Sequence, residues 1–322
     1  MVPVGSGADE GLAWHMGDPL REQRWLEDGT GVVDLGNREV LRITGADRAA
    51  YLNLLGTQKL DELSPGQTAS TFLLDPRGHI LFFLGLVETG EEIWGWTEPG
   101  YGAGLADHLN RMRFRMDVAA EVREDVGVVW SGFQVEGMVA RAGAPNCLGG
   151  YESFVPRIET DEVMRRGHPA GTWAHTALRI AAGVPRFGAD TDGRTLPNEL
   201  GVPSENLALD KGCYPGQETV ARVYNVGAPP RRLVRLHLDG SEERFVDTPA
   251  PLTLDGTPVG FMGSMSYHHE LGPIGLGLVK RETDDSAALL ADGVPARVEP
   301  LVPRDAGLHV RFPSNTPVPR MT

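Results

Sequence analysis

Apolar residues in this chain cluster in short runs cut by turn-forming residues, and few runs hold one period for long. Val40-Leu41-Arg42-Ile43 predicts a strand, and Thr44-Gly45-Ala46-Asp47 predicts a turn into a helix. That helix takes Asp47 as its N-cap, turns Leu52 and Leu55 inward and stops at Gly56. Residues 70–74 and 79–87 predict two strands joined by the tight-turn tetrad Asp75-Pro76-Arg77-Gly78, and residues 93–96 predict a third. Leu105, Leu109 and Met112 stand at i, i+4 and i+7, the spacing of one helix face. Met116, Val118, Ala120 and Val122 alternate, which predicts a strand, and residues 126–130 predict another. Residues 134–170 show no clear period beyond a loop at 143–150, and residues 172–182 predict a helix ended by Gly183 and Pro185. From 185 to 218 the chain is rich in Gly, Pro, Asn and Asp, and a loop of that length inside a compact domain is usually functional or disordered. After Pro229-Pro230, short strand candidates at 233–238, 251–254, 259–262, 274–279 and 296–298 predict a small β-barrel or sandwich. The irregular mixture of strands and helices predicts an α+β fold rather than a doubly wound sheet. Residues 1–17 and 313–322 are expected to be loose tails.

A chain of 322 residues suggests two or three domains. Its 41 Gly and 24 Pro make it loop-rich, yet short of the roughly 25–30% that marks low complexity, so the chain is expected to fold. Thirty Lys and Arg against 44 Asp and Glu leave a net charge of −14, which argues against a sequence-independent grip on nucleic acid. Two cysteines, Cys147 and Cys213, exclude a disulfide scaffold and a Cys-only zinc or cluster site within one chain. The longest apolar stretch, Ile80 to Val87, is far below the about 20 residues that span a bilayer. With no basic-then-apolar order near Met1, the expected location is cytoplasmic.

The densest chemistry lies in Asp210-Lys211-Gly212-Cys213-Tyr214-Pro215-Gly216-Gln217-Glu218. Pro215 and Gly216 fit the two central positions of a type II turn. Such a turn, with Gly212 before it, holds Cys213 at a bend that a ligand can approach. Lys211, two residues from the thiol, favours the thiolate, and a short helix beginning near Gln217 would add its N-terminal amides. The plainer alternative is an inert buried cysteine in a turn.

Lys211 to Glu218, followed by Val220-Ala221-Arg222, resembles the Lys-Gly-Cys-(Phe/Tyr)-x-Gly-Gln-Glu signature of the YgfZ/IBA57/CAF17-like proteins. These are folate-binding relatives of the glycine-cleavage T-protein, an aminomethyltransferase. Gly31 to Leu35 with Leu41 to Asp47 is similar to the family's opening strand, turn and helix. Leu178 to Pro185 with Pro197-Asn198-Glu199-Leu200 is similar to its middle signature, and Gly256 to Ser264 with Gly275 to Lys280 to its C-terminal barrel. The resemblance implies an α+β, T-protein-like ring of three subdomains. Two α+β subdomains form the folate cleft, and a small C-terminal β-barrel completes the ring. The expected divisions are a tail at 1–17, a folate-binding module of two interleaved subdomains at 18–228, the barrel at 229–312 and a tail at 313–322.

The implied function is that of a tetrahydrofolate-binding accessory protein for iron–sulfur cluster assembly, repair or maintenance. Its partners would be folate and, transiently, iron–sulfur target or assembly proteins, with neither nucleic acid nor membrane. Cys213 and Lys211 take the reactive-thiol role, supported by Gly212, Tyr214, Gly216, Gln217, Glu218 and Arg222. One thiol cannot hold a four-ligand cluster, so no stable metal site within one chain is expected. A folate-dependent aminomethyl transferase and a non-catalytic docking adaptor remain as alternatives.

Two departures from the family pattern bear on these roles. The T-protein's acid/base aspartate falls on Phe82 or Phe83, neither of which can relay a proton. The glutamate expected to hold the pterin's aminopyrimidine edge falls on Ala181, leaving Glu199 as a substitute carboxylate. Thr57 and Gln58 follow the first helix where relatives face the cleft with polar residues. Arg179 either pairs with a carboxylate inside the fold or meets the folate's glutamate tail. His268-His269-Glu270 reads as a solvated loop, Trp94 and Trp96 as packing, and Cys147 as incidental.

Overall fold

The computed structural model describes residues 1–142, 148–201, 204–227, 229–241 and 244–308. It opens with two short strands, β1 (Val2–Pro3) and β2 (Ala13–His15), paired antiparallel. Helix α1 (Pro19–Glu27) starts where the Asp18 carboxylate accepts the Arg21 N–H at 3.0 Å. Strands β3 (Gly31–Asp34) and β4 (Glu39–Thr44) lead to α2 (Arg48–Leu55). Next come β5 (Thr68–Leu74), β6 (Ile80–Glu88), β7 (Ile93–Thr97), α3 (Gly102–Met112), β8 (Ala119–Val122) and β9 (Val126–Ser131). The stretch without a readable period holds β10 (Val139–Ala142), β11 (Tyr151–Pro156), α4 (Thr160–Met164) and β12 (His168–Ala170). Helices α5 (Thr172–Ala181) and α6 (Gln217–Val226) flank the long irregular segment. The remainder is all strand: β13 (Arg231–Leu238), β14 (Ala250–Leu254), β15 (Thr257–His268), β16 (Gly272–Lys280), β17 (Ala288–Ala291) and β18 (Val294–Pro300).

These strands make two five-stranded sheets and a closed barrel, an α+β architecture as the sequence predicts. One sheet has the order β5-β6-β7-β4-β8, the other β10-β11-β9-β3-β12, and the barrel runs β13-β16-β15-β14-β17-β18. The chain leaves the second sheet after β3, builds the first, and returns at β9. Leu41, Ile43, Leu84 and Leu86 bury one face of the first sheet against Tyr51 and Leu52 of α2 and Leu105 and Leu109 of α3. Its other face meets the second sheet and α5, with Trp96, Val33, Trp130, Phe154, Ala174 and Leu178 in one cluster. Ile180 carries α5 onto Ile274 and Leu276 of the barrel. Helix α5 therefore lies between the sheets and the barrel.

Several expectations need correction. Residues 1–17 are not a loose tail, because β1 and β2 pair and Asp9 forms an ion pair with Arg186 at 2.8 Å. Asp47 stands at the start of α2, but its side chain does not cap that helix; it accepts the Asp117 N–H at 2.8 Å. The strand expected from Met116 begins only at Ala119. Strand β11 escaped notice because Glu152 and Ser153 are polar yet buried, which erases the apolar signal. The expected tail at 313–322 and Cys147 lie outside the described residues.

Candidate functional site

The Tyr214–Gln217 turn closes with the Gln217 N–H donating to the Tyr214 carbonyl at 3.2 Å. Gly216 has φ +78° and ψ −2°, the third-position geometry of a type II turn, and α6 follows at once. The turn sits on the β5–β6 hairpin. A Cβ on Gly216 would stand 2.6 Å from the Asp75 carbonyl oxygen and 2.8 Å from the Gly78 Cα. The hairpin is itself held by the Asp75 carboxylate, which accepts the Arg77 and His79 N–H groups at 2.8 and 2.9 Å. Gly216 thus serves both the backbone conformation and the close approach of two loops.

Around that turn the motif divides into buried and exposed side chains. Cys213 is a free, exposed cysteine. Its neighbour Tyr214 is buried with Phe72, Phe187, Leu207 and Val220, and burial pushes its hydroxyl up to about 12. Lys211 does not turn toward the thiol. Its ammonium donates to the carbonyl of Asn53 in the last turn of α2, to that of the capping Gly56 at 2.8 Å and to that of Gln58 just beyond at 3.0 Å. Burial lowers the Lys211 amine to about 8. The expected activation of Cys213 by Lys211 is therefore replaced by a tether between the cysteine loop and α2. Gln217 supports the bend by donating to the Lys211 carbonyl at 3.2 Å. Glu218 and Arg222 form an exposed pair on α6 at 3.3 Å, of small energetic weight. Gly212 is exposed with open space about it.

A cavity of about 140 Å³ opens where the two sheets, α5 and the irregular segment meet. Phe72, Phe83, Trp96, Trp130, Phe187 and Leu200 supply its apolar walls. Trp96 is thus a wall residue, while Trp94 packs on Phe154 at 5.8 Å between ring centroids. Three arginines face the cavity, each already paired. Arg38 donates to Glu152 at 2.8 Å and lies 3.7 Å over the Trp96 ring, whose N–H donates to Glu152 at 2.7 Å. Arg179 donates to Asp190 at 2.7 Å and to Ser264 at 2.7 Å. Arg186 bridges Glu98 at 2.7 Å and Asp9 at 2.8 Å. Among these groups lies His175, whose ring is pushed down to about 3 by burial and by Arg38 and Arg179. The cavity is aromatic in shape with its arginines already engaged, and suits a flat ring with few polar atoms.

The other residues singled out in the sequence have settled partners. Of Arg179's two alternatives, its guanidinium takes the internal carboxylate while its side chain still lines the cavity. Glu199 is wholly buried and paired with Arg231 through bonds of 2.9 and 2.8 Å, and it is not a cavity wall. Ala181 packs between α5 and the barrel and is not a wall either. Thr57 accepts the Phe72 N–H at 3.0 Å and donates to the Asn206 carbonyl; Gln58 donates to the Glu205 carbonyl at 2.8 Å. These two residues hold the segment whose Glu205 and Asn206 line the cavity. Of the aspartate-position pair, Phe83 enters the wall while Phe82 packs on His108 of α3.

Cys213 is not among the cavity-lining residues, although Tyr214 beside it packs behind that wall. Arg38, Glu152 and His175 went unseen in the sequence because they come from three distant segments. The available signal was His175 itself, one turn before Arg179 on the same helix face. Glu27, His268 and His269 place possible ligand atoms within 4.8 Å of one another. The Glu270 and Leu271 N–H groups donate to His268 Nδ1 at 3.1 and 3.2 Å, so its proton sits on Nε2, where a cation would have to displace it. No helix among the described residues is long and apolar enough to cross a membrane.

No protein-family model matches the chain. It is 25% identical over 304 residues to human iron–sulfur cluster assembly factor IBA57, covering 83% of this chain and 80% of that one. It is 25% identical over 320 residues to an aminomethyltransferase of Rippkaea orientalis, covering 86% and 84%. The crystal structure of glycine cleavage system aminomethyltransferase T from Bartonella henselae superposes with a TM-score of 0.75 over 94% of each chain, at 16% identity. That likeness shows the fold.

Proposed function

We propose that this chain, a member of the IBA57-like kin of the aminomethyltransferases, binds a reduced folate in its aromatic cavity and serves iron–sulfur cluster assembly or maintenance. The observation that carries the reading is the cavity of about 140 Å³, walled by Phe72, Phe83, Trp96, Trp130 and Phe187. Its volume accommodates a bicyclic ring rather than a whole folate, so the rest of the ligand extends outside. When bound, a tetrahydrofolate supplies one-carbon or electron-donating chemistry. The chain's own residues stack on the ring, exclude water and offer few polar contacts.

Aminomethyl transfer is the weaker reading. Phe83 occupies the wall where a proton-relaying carboxylate is needed, and the nearby Glu98 and Glu152 are held by Arg186 and Arg38. Cys213 faces outward on a tethered loop, which suits transient contact with a partner's iron or sulfur rather than with the cavity's contents. Titration with tetrahydrofolate, followed by the fluorescence of Trp96 and Trp130, tests the folate part; no saturable change at millimolar ligand overturns it. In a deletion strain, a Cys213→Ser variant is expected to leave iron–sulfur enzyme activities low. Full restoration would remove the thiol's role.

A further inference from the structure

His175 lines the cavity from α5, and only 7% of its surface is exposed. Its ring makes no hydrogen bond to any described residue, although an imidazole carries one donor and one acceptor. Its residual exposure is toward the cavity it lines, so what enters the cavity can supply those partners. The arginines facing it are already matched: Arg38 with Glu152, Arg179 with Asp190, and Arg186 with Glu98 and Asp9. An anionic head group would have to break those pairs, and a cationic one would meet three guanidiniums. An uncharged aromatic ring disturbs none of them.

We infer that the His175 imidazole is the hydrogen-bonding contact for the head of the cavity's occupant, and that this head presents an uncharged heteroaromatic edge to it. This deepens the folate reading and rests on it, since the pterin is the ring concerned. His175 remains neutral throughout the physiological range, so it offers the same donor and acceptor at pH 6 as at pH 8. Edge contact with Trp130, at 6.4 Å between ring centroids, fixes the plane of the imidazole.

The test is calorimetric titration of the full chain with tetrahydrofolate, for the wild type, His175→Phe and His175→Gln. Losing one neutral hydrogen bond weakens binding about 3- to 10-fold in His175→Phe, and the amide of His175→Gln recovers most of it. Nitrogen-15 spectra of histidine-labelled wild type are expected to show the His175 ring resonances moving as the ligand is added. Those spectra decide the matter should the Phe variant fail to fold. Equal affinities in wild type and His175→Phe, or unmoved ring resonances in a protein that binds, would overturn the inference and leave the folate reading standing. A wild type that does not bind at all removes both.

Discussion

Gly216→Ala and Gly212→Ala make a paired test of how the cysteine loop is held. Both glycines belong to the same signature, yet their surroundings differ. At Gly216 the backbone has φ +78°, and a Cβ would meet the Asp75 oxygen at 2.6 Å and the Gly78 Cα at 2.8 Å. Left-handed backbone costs a residue with a Cβ about 1–2 kcal/mol. Forcing two packed loops apart adds about 1–3 kcal/mol. Gly216→Ala is therefore expected to lose about 3 kcal/mol, and the Cys213 loop should lift from the hairpin. At Gly212 nothing lies within 4 Å of an added Cβ, so Gly212→Ala should stay within about 0.5 kcal/mol of wild type. Urea unfolding followed by tryptophan fluorescence measures the stabilities, and the rate of Cys213 modification reports the loop. Equal stability of the two variants, or a Gly216→Ala change below about 0.5 kcal/mol, would show that the loop and the hairpin are not locked together.

Lys211→Met should lower stability by about 2–3 kcal/mol, because three carbonyls at and just after the end of α2 lose a charged donor; calorimetric melting checks this. Glu199→Gln strips the buried half of the Arg231 pair, so it should lower stability by about 3 kcal/mol while leaving the tetrahydrofolate affinity of folded protein unchanged. A weakened affinity would return Glu199 to the ligand site. His175 takes up a proton near pH 6.5 when unfolded but only near about 3 when folded, so acid favours the unfolded state. Between pH 7.5 and pH 5 the wild type should lose about 2 kcal/mol more than His175→Leu, read from urea unfolding at both pH values. A difference near zero would mean that the folded ring protonates normally.

Local chemistry was legible in the sequence wherever one short segment contained all of its parts. Pro215-Gly216 announced its turn, Asp75-Pro76-Arg77-Gly78 its hairpin, and the texture after Pro230 its barrel strands. What depended on distant partners was not legible. Lys211 stands two residues from Cys213, and only the packed fold shows that carbonyls around the end of α2 capture its ammonium. Glu199 looked like a spare carboxylate because Arg231 lies beyond the irregular segment. The cavity itself is assembled from stretches far apart in the chain, and its polar groups are read as paired or unpaired only once they are neighbours.

The passage of the chain out of the second sheet after β3 and back at β9 affects its birth on the ribosome. When Val122 is added, every strand of the first sheet has been made, whereas Val32 and Val33 still await both of their neighbours. Those two valines, sealed from water in the finished molecule, gain one neighbour with Ser131 and keep the other edge of their strand unpaired until Ala170 arrives. Elongation pauses between these points would lengthen the interval in which a chaperone, or another nascent chain, can seize that strand.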